Sequence, residues 1–167
     1  MEKLTHWKKE TNPNYLGSWD LLTGADANGK AIYGDKIFTI KTVEKRAVVD
    51  MENIKKNPNA TKDEIVITFE EFDKPMIIHA KANFKGIEQA TGTPFIEYWT
   101  GRKICVYVET GVKAFGTVTD ALRIKKVPER KCNICGKVSD ERTYQQSKIK
   151  YGMPLCSSAC KERAGIK

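Results

Sequence analysis

Ala82-Asn83-Phe84-Lys85-Gly86-Ile87-Glu88-Gln89-Ala90-Thr91 sets Phe84, Ile87 and Ala90 or Thr91 three to four residues apart, with Gly92 directly behind them. That spacing is the apolar face of one helix, and Gly92 stands where a left-handed residue closes it. On both sides the period changes to that of strands. Residues 36–49 are rich in β-branched side chains and read as one long strand, bent or bulged near Glu44-Lys45-Arg46. The polar stretch 53–63, with Asn57-Pro58-Asn59, reads as a loop or a frayed short helix. Glu64 to Glu70 is a second strand, Asp73-Lys74-Pro75 a turn, and Met76 to His79 a third strand. After the helix, Arg102 to Glu109 alternates, with Ile104, Val106 and Val108 on one face. Val118 to Val127 alternates again. Three strands, one helix and two strands predict a mainly β fold: a five-stranded barrel of the oligonucleotide/oligosaccharide-binding (OB) type, with its helix between strands three and four. Another small β-rich barrel or sandwich is the competing architecture. Upstream, Leu16 to Leu22 reads as a short strand and residues 24–34 as loop.

The 167 residues carry 29 Lys and Arg against 21 Asp and Glu, a formal charge of +8. Charged residues make up 30% and hydrophobic residues 40%, a composition that supports a buried core and excludes long-range disorder. Nothing approaches the apolar run of about 20 residues that a bilayer-spanning helix needs. Met1 to Glu10 has no apolar core of a signal peptide, so the expected location is the cytoplasm of the cell that makes it, where thiols stay reduced.

Reduced thiols direct attention to the last 40 residues. Cys132-Asn133-Ile134-Cys135-Gly136 is a CxxC turn, and Cys156-Ser157-Ser158-Ala159-Cys160 supplies a CxxxC pair. Thiols at these two spacings can meet on one tetrahedral Zn²⁺ at about 2.3 Å each. Four protein ligands close the coordination sphere, so the expected cofactor is one structural zinc in a treble-clef or ribbon-type module. Val127-Pro128 is the expected joint, giving a barrel with its N-terminal extension over 1–127 and the zinc module over 128–167. The module holds nine basic and four acidic residues, so it carries most of the excess charge. Arg142, Lys148, Lys150 and Tyr151 fall in the segment between the cysteine pairs, read as a connecting loop, where they suit either phosphate or a protein partner.

The chemistry of the first 127 residues is thinner. Single-strand binding needs cations along a groove and aromatic faces on which bases stack. Lys41, Lys45 and Arg46 on the first strand, Arg123 and Lys125 on the last, and Lys113 with Phe115 in the loop between strands four and five are the candidates. Phe115 reads equally as a plug for the barrel end. Trp19, Trp99 and Phe38 are expected in the core, Trp7 and Tyr15 at the surface. His79 is expected to be structural and Cys105 a buried small hydrophobe. No phosphate-binding loop, dinucleotide fingerprint, His-Glu-x-x-His or paired nucleophile and base is present, so no catalytic residues are assigned and no enzyme is expected.

Asn12-Pro13-Asn14-Tyr15-Leu16-Gly17, Lys74-Pro75-Met76-Ile77, Gly92-Thr93-Pro94-Phe95-Ile96-Glu97-Tyr98-Trp99 and Val112-Lys113-Ala114-Phe115-Gly116 with Asp120-Ala121-Leu122-Arg123-Ile124 resemble a family of small phage and prophage proteins over residues 5–127. The resemblance implies the cytoplasm of a bacterial host cell, company with replication and recombination genes, and single-stranded DNA binding by an OB-type barrel. It carries no catalytic motif. The expected partner is single-stranded DNA, with RNA as an open alternative. The rival function is a protein-interaction module that recruits a replication partner or inhibits a host defence enzyme.

Overall fold

The computed structural model describes residues 5–12, 14–50, 53, 55–114 and 116–166. They form two compact units, Met1–Val127 and Pro128–Lys167.

The first unit is organised by β3, Lys36–Val49. Its first four residues pair antiparallel with β6, Lys103–Ala114, and the rest pair with β4, Thr61–Phe69. The hand-over is a register irregularity between Ile40 and Thr42, upstream of the expected bend at 44–46. An extra residue there twists the strand, which lets one strand serve two partners along its length. β5, Met76–Ile78, adds to β4, and β7, Thr117–Lys125, adds to β6, giving an antiparallel sheet in the order β5-β4-β3-β6-β7. Among the described residues no ladder joins β5 to β7, so the fold is mainly β with a five-stranded antiparallel sheet, and closure into the expected barrel is not found. A three-residue strand such as β5 offers few ladder bonds with which to close it.

The helix α2, Lys81–Thr91, follows β5 and precedes β6 in the chain, and it packs on β7 and β6. Gly92 closes it at φ +77°. Ile87 is fully buried and Phe84 and Ala90 pack beside it, as the periodicity requires. Below them, Phe38 stacks on Phe69 at 4.6 Å between ring centres, among Ile40, Ile67, Ile78, Ile104 and Val106. Trp99 joins this core and donates its indole N–H to the Thr93 carbonyl at 3.0 Å.

The chain before β3 differs from its reading. A short helix α1, Trp7–Thr11, leads into a 3-10 turn at Ser18–Leu21, where a strand was expected. The Asp20 carboxylate accepts the Gly17 amide at 3.0 Å, a local bond that favours the turn. The expected loop at 24–34 is the tip of a hairpin, β1 Leu22–Ala25 with β2 Ala31–Tyr33. Asp26 Oδ1 organises that tip by accepting the amides of Asn28 and Lys30.

The second unit holds α3, Glu141–Tyr151, and α4, Ser158–Arg163. The expected connecting loop is therefore largely helix. Asp140 caps α3 by accepting the Thr143 amide at 2.9 Å, and Gly152 ends it at φ +71°. Among the described residues no helix is long and apolar enough to cross a membrane.

Candidate metal centre

The CxxC pair sits on a knuckle. Gly136 N–H donates to the Cys132 carbonyl at 2.9 Å, and Cys132 N–H donates to the Lys137 carbonyl at 2.8 Å. Gly136 stands at φ +71°, where a Cβ is disfavoured, so the chain can fold back beneath the thiols. The second pair is fixed by α4. Cys156 precedes its first turn and Cys160 lies within it, while Ser157 caps it by accepting the Cys160 amide at 3.3 Å. Asn133 N–H donates to the Pro154 carbonyl at 2.9 Å and straps the two halves together.

These bonds bring the four Sγ atoms within 4.8 Å of one another, with Cys135 to Cys156 at 3.4 Å and Cys156 to Cys160 at 3.6 Å. Ligands at 2.3 Å on a tetrahedral ion would stand about 3.8 Å apart. The cluster fits a metal ion closely. The thiols are already electrostatically unequal: backbone hydrogen bonding from Cys135, then from Ile134, holds Cys132 down to about 6. Hydrogen bonds with the thiols of Cys135 and then Cys160 push Cys156 up to about 12. Four thiolates this close repel, and a divalent cation is the partner that relieves them all. Around them Leu155, Ile134, Tyr151 and Met153 form a small core of this unit's own. Cys105 lies apart in β6, buried, with its thiol pushed up by burial and then by Asp35.

The predicted contact residues of the sheet fall on two ribbons. Lys41, Lys45 and Arg46 lie on β3, and Lys113, Arg123 and Lys125 on the β6–β7 hairpin. Lys113 belongs to β6, opposite Val118, and not to a loop, because the alternation of β6 continues past a bulge between Glu109 and Val112. Phe115 lies outside the described residues. Four of the cations are paired: Lys45 with Asp63 at 3.2 Å, Arg46 with Glu44 at 2.8 Å, Arg123 with Glu109 at 2.6 Å and Lys125 with Asp35 at 2.6 Å. Lys41 and Lys113 are exposed and make no ion pair among the described residues. Trp7 is exposed as expected, Tyr15 is half-buried, and His79 is exposed just beyond β5 rather than enclosed.

Comparison with protein-family models, curated proteins and solved structures finds no match.

Two features escaped the linear reading. Between α2 and β6, consecutive tight turns bury Trp99 and present Phe95 and Tyr98 outward, 62% and 65% exposed and edge-to-face at 6.5 Å. Their spacing of three residues, out of phase with buried Trp99, was the available signal. Trp19, expected in the core, instead borders a cleft of about 1000 Å³ with His6, Phe72, Lys9 and Lys74, and its buried indole N–H has no hydrogen-bond partner among the described residues. Only the three-dimensional meeting of these distant segments creates that cleft.

Proposed function

We propose that this chain is a non-catalytic binder of single-stranded DNA, acting in phage replication or recombination, with a structural zinc held by Cys132, Cys135, Cys156 and Cys160. The observation that carries the reading is the strand order. One long strand, β3, shares its two ends between two ribbons, β4–β5 and β6–β7, with the helix following the third strand of the sheet in chain order. That connection is the OB arrangement, a partly open Greek-key barrel used for oligonucleotides. Cations on both ribbons and the outward Phe95–Tyr98 pair supply the two chemistries that single strands need, charge for phosphates and ring faces for bases. The zinc assignment rests on a donor set that among the described residues is four sulfurs, the set favoured by zinc among common divalent ions.

The four ion pairs on the ribbons favour the rival reading, a protein-interaction module, since a charge-balanced surface attracts phosphate weakly. Salt separates the two. Fluorescence titration of an oligothymidylate across salt concentrations should give a log–log slope of about −0.7 for each phosphate contacted. Lys41→Ala with Lys113→Ala should reduce its magnitude by about 1.4, because these two candidate cations make no ion pair among the described residues. Binding that is absent or independent of salt would hand the function to a protein partner.

A further inference from the structure

We propose that the groove between α3 and α4 is a second contact site for a nucleic-acid strand, with Lys150 and Lys161 engaging phosphates on either side of Tyr151. The inference extends nucleic-acid binding to the zinc module and stands independently of the sheet.

The groove is built from one face of α3. Thr143, Gln146, Ser147, Lys150 and Tyr151 recur at helical spacing and form one wall, and Ser158 and Lys161 of α4 face them across a cavity of about 430 Å³. Ser147 Oγ accepts the Leu155 amide at 2.9 Å, so the floor is pinned to the helix rather than left loose. The Nζ atoms of Lys150 and Lys161 each lie 5.5 Å from the centre of the Tyr151 ring. Among the described residues no acidic side chain lines the cavity; hydroxyls, an amide, Leu155 and Cys156 complete it. These are the side chains that contact nucleic-acid backbones.

The contrast with the sheet is the second observation. There, four of the six described candidate cations are held by carboxylates of the same chain. In the zinc module, Arg142, Lys148, Lys150, Lys161 and Arg163 form no ion pair among the described residues. Cys156 also borders the groove, and a tetrathiolate zinc adds a net −2 beside it. A single small anion therefore gains little here. A strand that reaches Lys150 and Lys161 together gains two phosphate contacts at once beside an aromatic face. That favours a polymeric ligand.

The test uses the full, metal-loaded chain and fluorescent oligothymidylate or duplex DNA over a salt series. K150A/K161A should reduce the magnitude of the slope by about 1.4 on the single strand and about 1.8 on the duplex, while metal content and melting stay unchanged. K150R/K161R should keep the wild-type slope. If the double alanine variant binds single strands like the wild type while Lys41 and Lys113 variants weaken, the groove proposal fails and the sheet reading stands. If binding is equal for duplex and single strand and depends on Lys150 and Lys161 alone, the groove stands and the sheet reading fails. No binding of either probe sinks both. Polyglutamate that binds the groove more tightly than DNA does overturns the proposal in favour of an acidic peptide.

Discussion

Gly86 decides how closely α2 approaches the sheet. A Cβ there would stand 2.0 Å from the carbonyl oxygen of Ile124 on β7, a backbone atom that cannot swing away. Helix propensity alone says that Gly86→Ala should gain about 1 kcal/mol. The forced separation of helix and strand should cost about 1–3 kcal/mol, so the net effect is expected to be a loss. A urea denaturation midpoint above wild type would show that the approach is not needed. Glu71 offers a second test at this scale. Burial raises its carboxyl, but hydrogen bonds from the Thr39 hydroxyl at 2.6 Å and amide at 2.8 Å outweigh that and hold it below its ordinary value. A depressed folded-state value means stability that is present above the unfolded-state value and lost as pH falls through the folded one. Glu71→Gln should accordingly be less stable than wild type near neutrality. The gap, followed by denaturant midpoints from pH 7 to pH 3, should narrow in acid. A gap constant with pH would mean that those bonds do not favour the ionised carboxylate.

At the scale of elements, legibility followed the hydrophobic pattern. α2 could be read because Phe84, Ile87 and Ala90 face one core and Gly92 closes the turn. α3 could not, because its sequence, Glu-Arg-Thr-Tyr-Gln-Gln-Ser-Lys-Ile-Lys-Tyr, carries no apolar stripe and leaves Ile149 exposed. Its caps, Asp140 and Gly152, were visible in the sequence, but without periodicity they did not identify a helix. The same limit explains β1 and β2, whose few residues pair across a turn that reads simply as polar loop. β3 was legible as a strand. Its sharing between β4 and β6 was not, since pairing between residues such as Phe38 and Ile104, far apart in sequence, leaves no local mark. The cysteine cluster was legible because its ligands come in two short, regular spacings that geometry alone connects to one ion. The outward Phe95 and Tyr98 were not, because aromatic residues are read as core until their burial is known.

For the whole molecule, the two units have unequal means of staying folded. The first has a continuous core from Leu16 through Phe38, Ile67 and Trp99 to Ile124. Among the described residues the second has three buried hydrophobic ones, Cys132, Leu155 and Cys160, two of them proposed ligands. So small a core supplies little of the free energy needed to order forty residues, and a structural metal supplies it directly, with apparent values of about 10–16 kcal/mol for zinc-finger peptides at pH 7. Removing the metal should therefore separate the units. Cys156→Ser, or a strong chelator on the wild type, is expected to abolish stoichiometric zinc and to melt α3 and α4, while the core around Trp99 keeps its cooperative transition. Limited proteolysis should then cut between residues 128 and 167 and leave a resistant fragment ending near Val127. Circular dichroism with elemental analysis of both preparations checks the first part, and mass spectrometry of the fragment checks the second. If the chelated protein kept α3 and α4 intact, the metal would be dispensable to this fold. If both units melted together, the first would depend on a tail that its own apolar residues give it no reason to need.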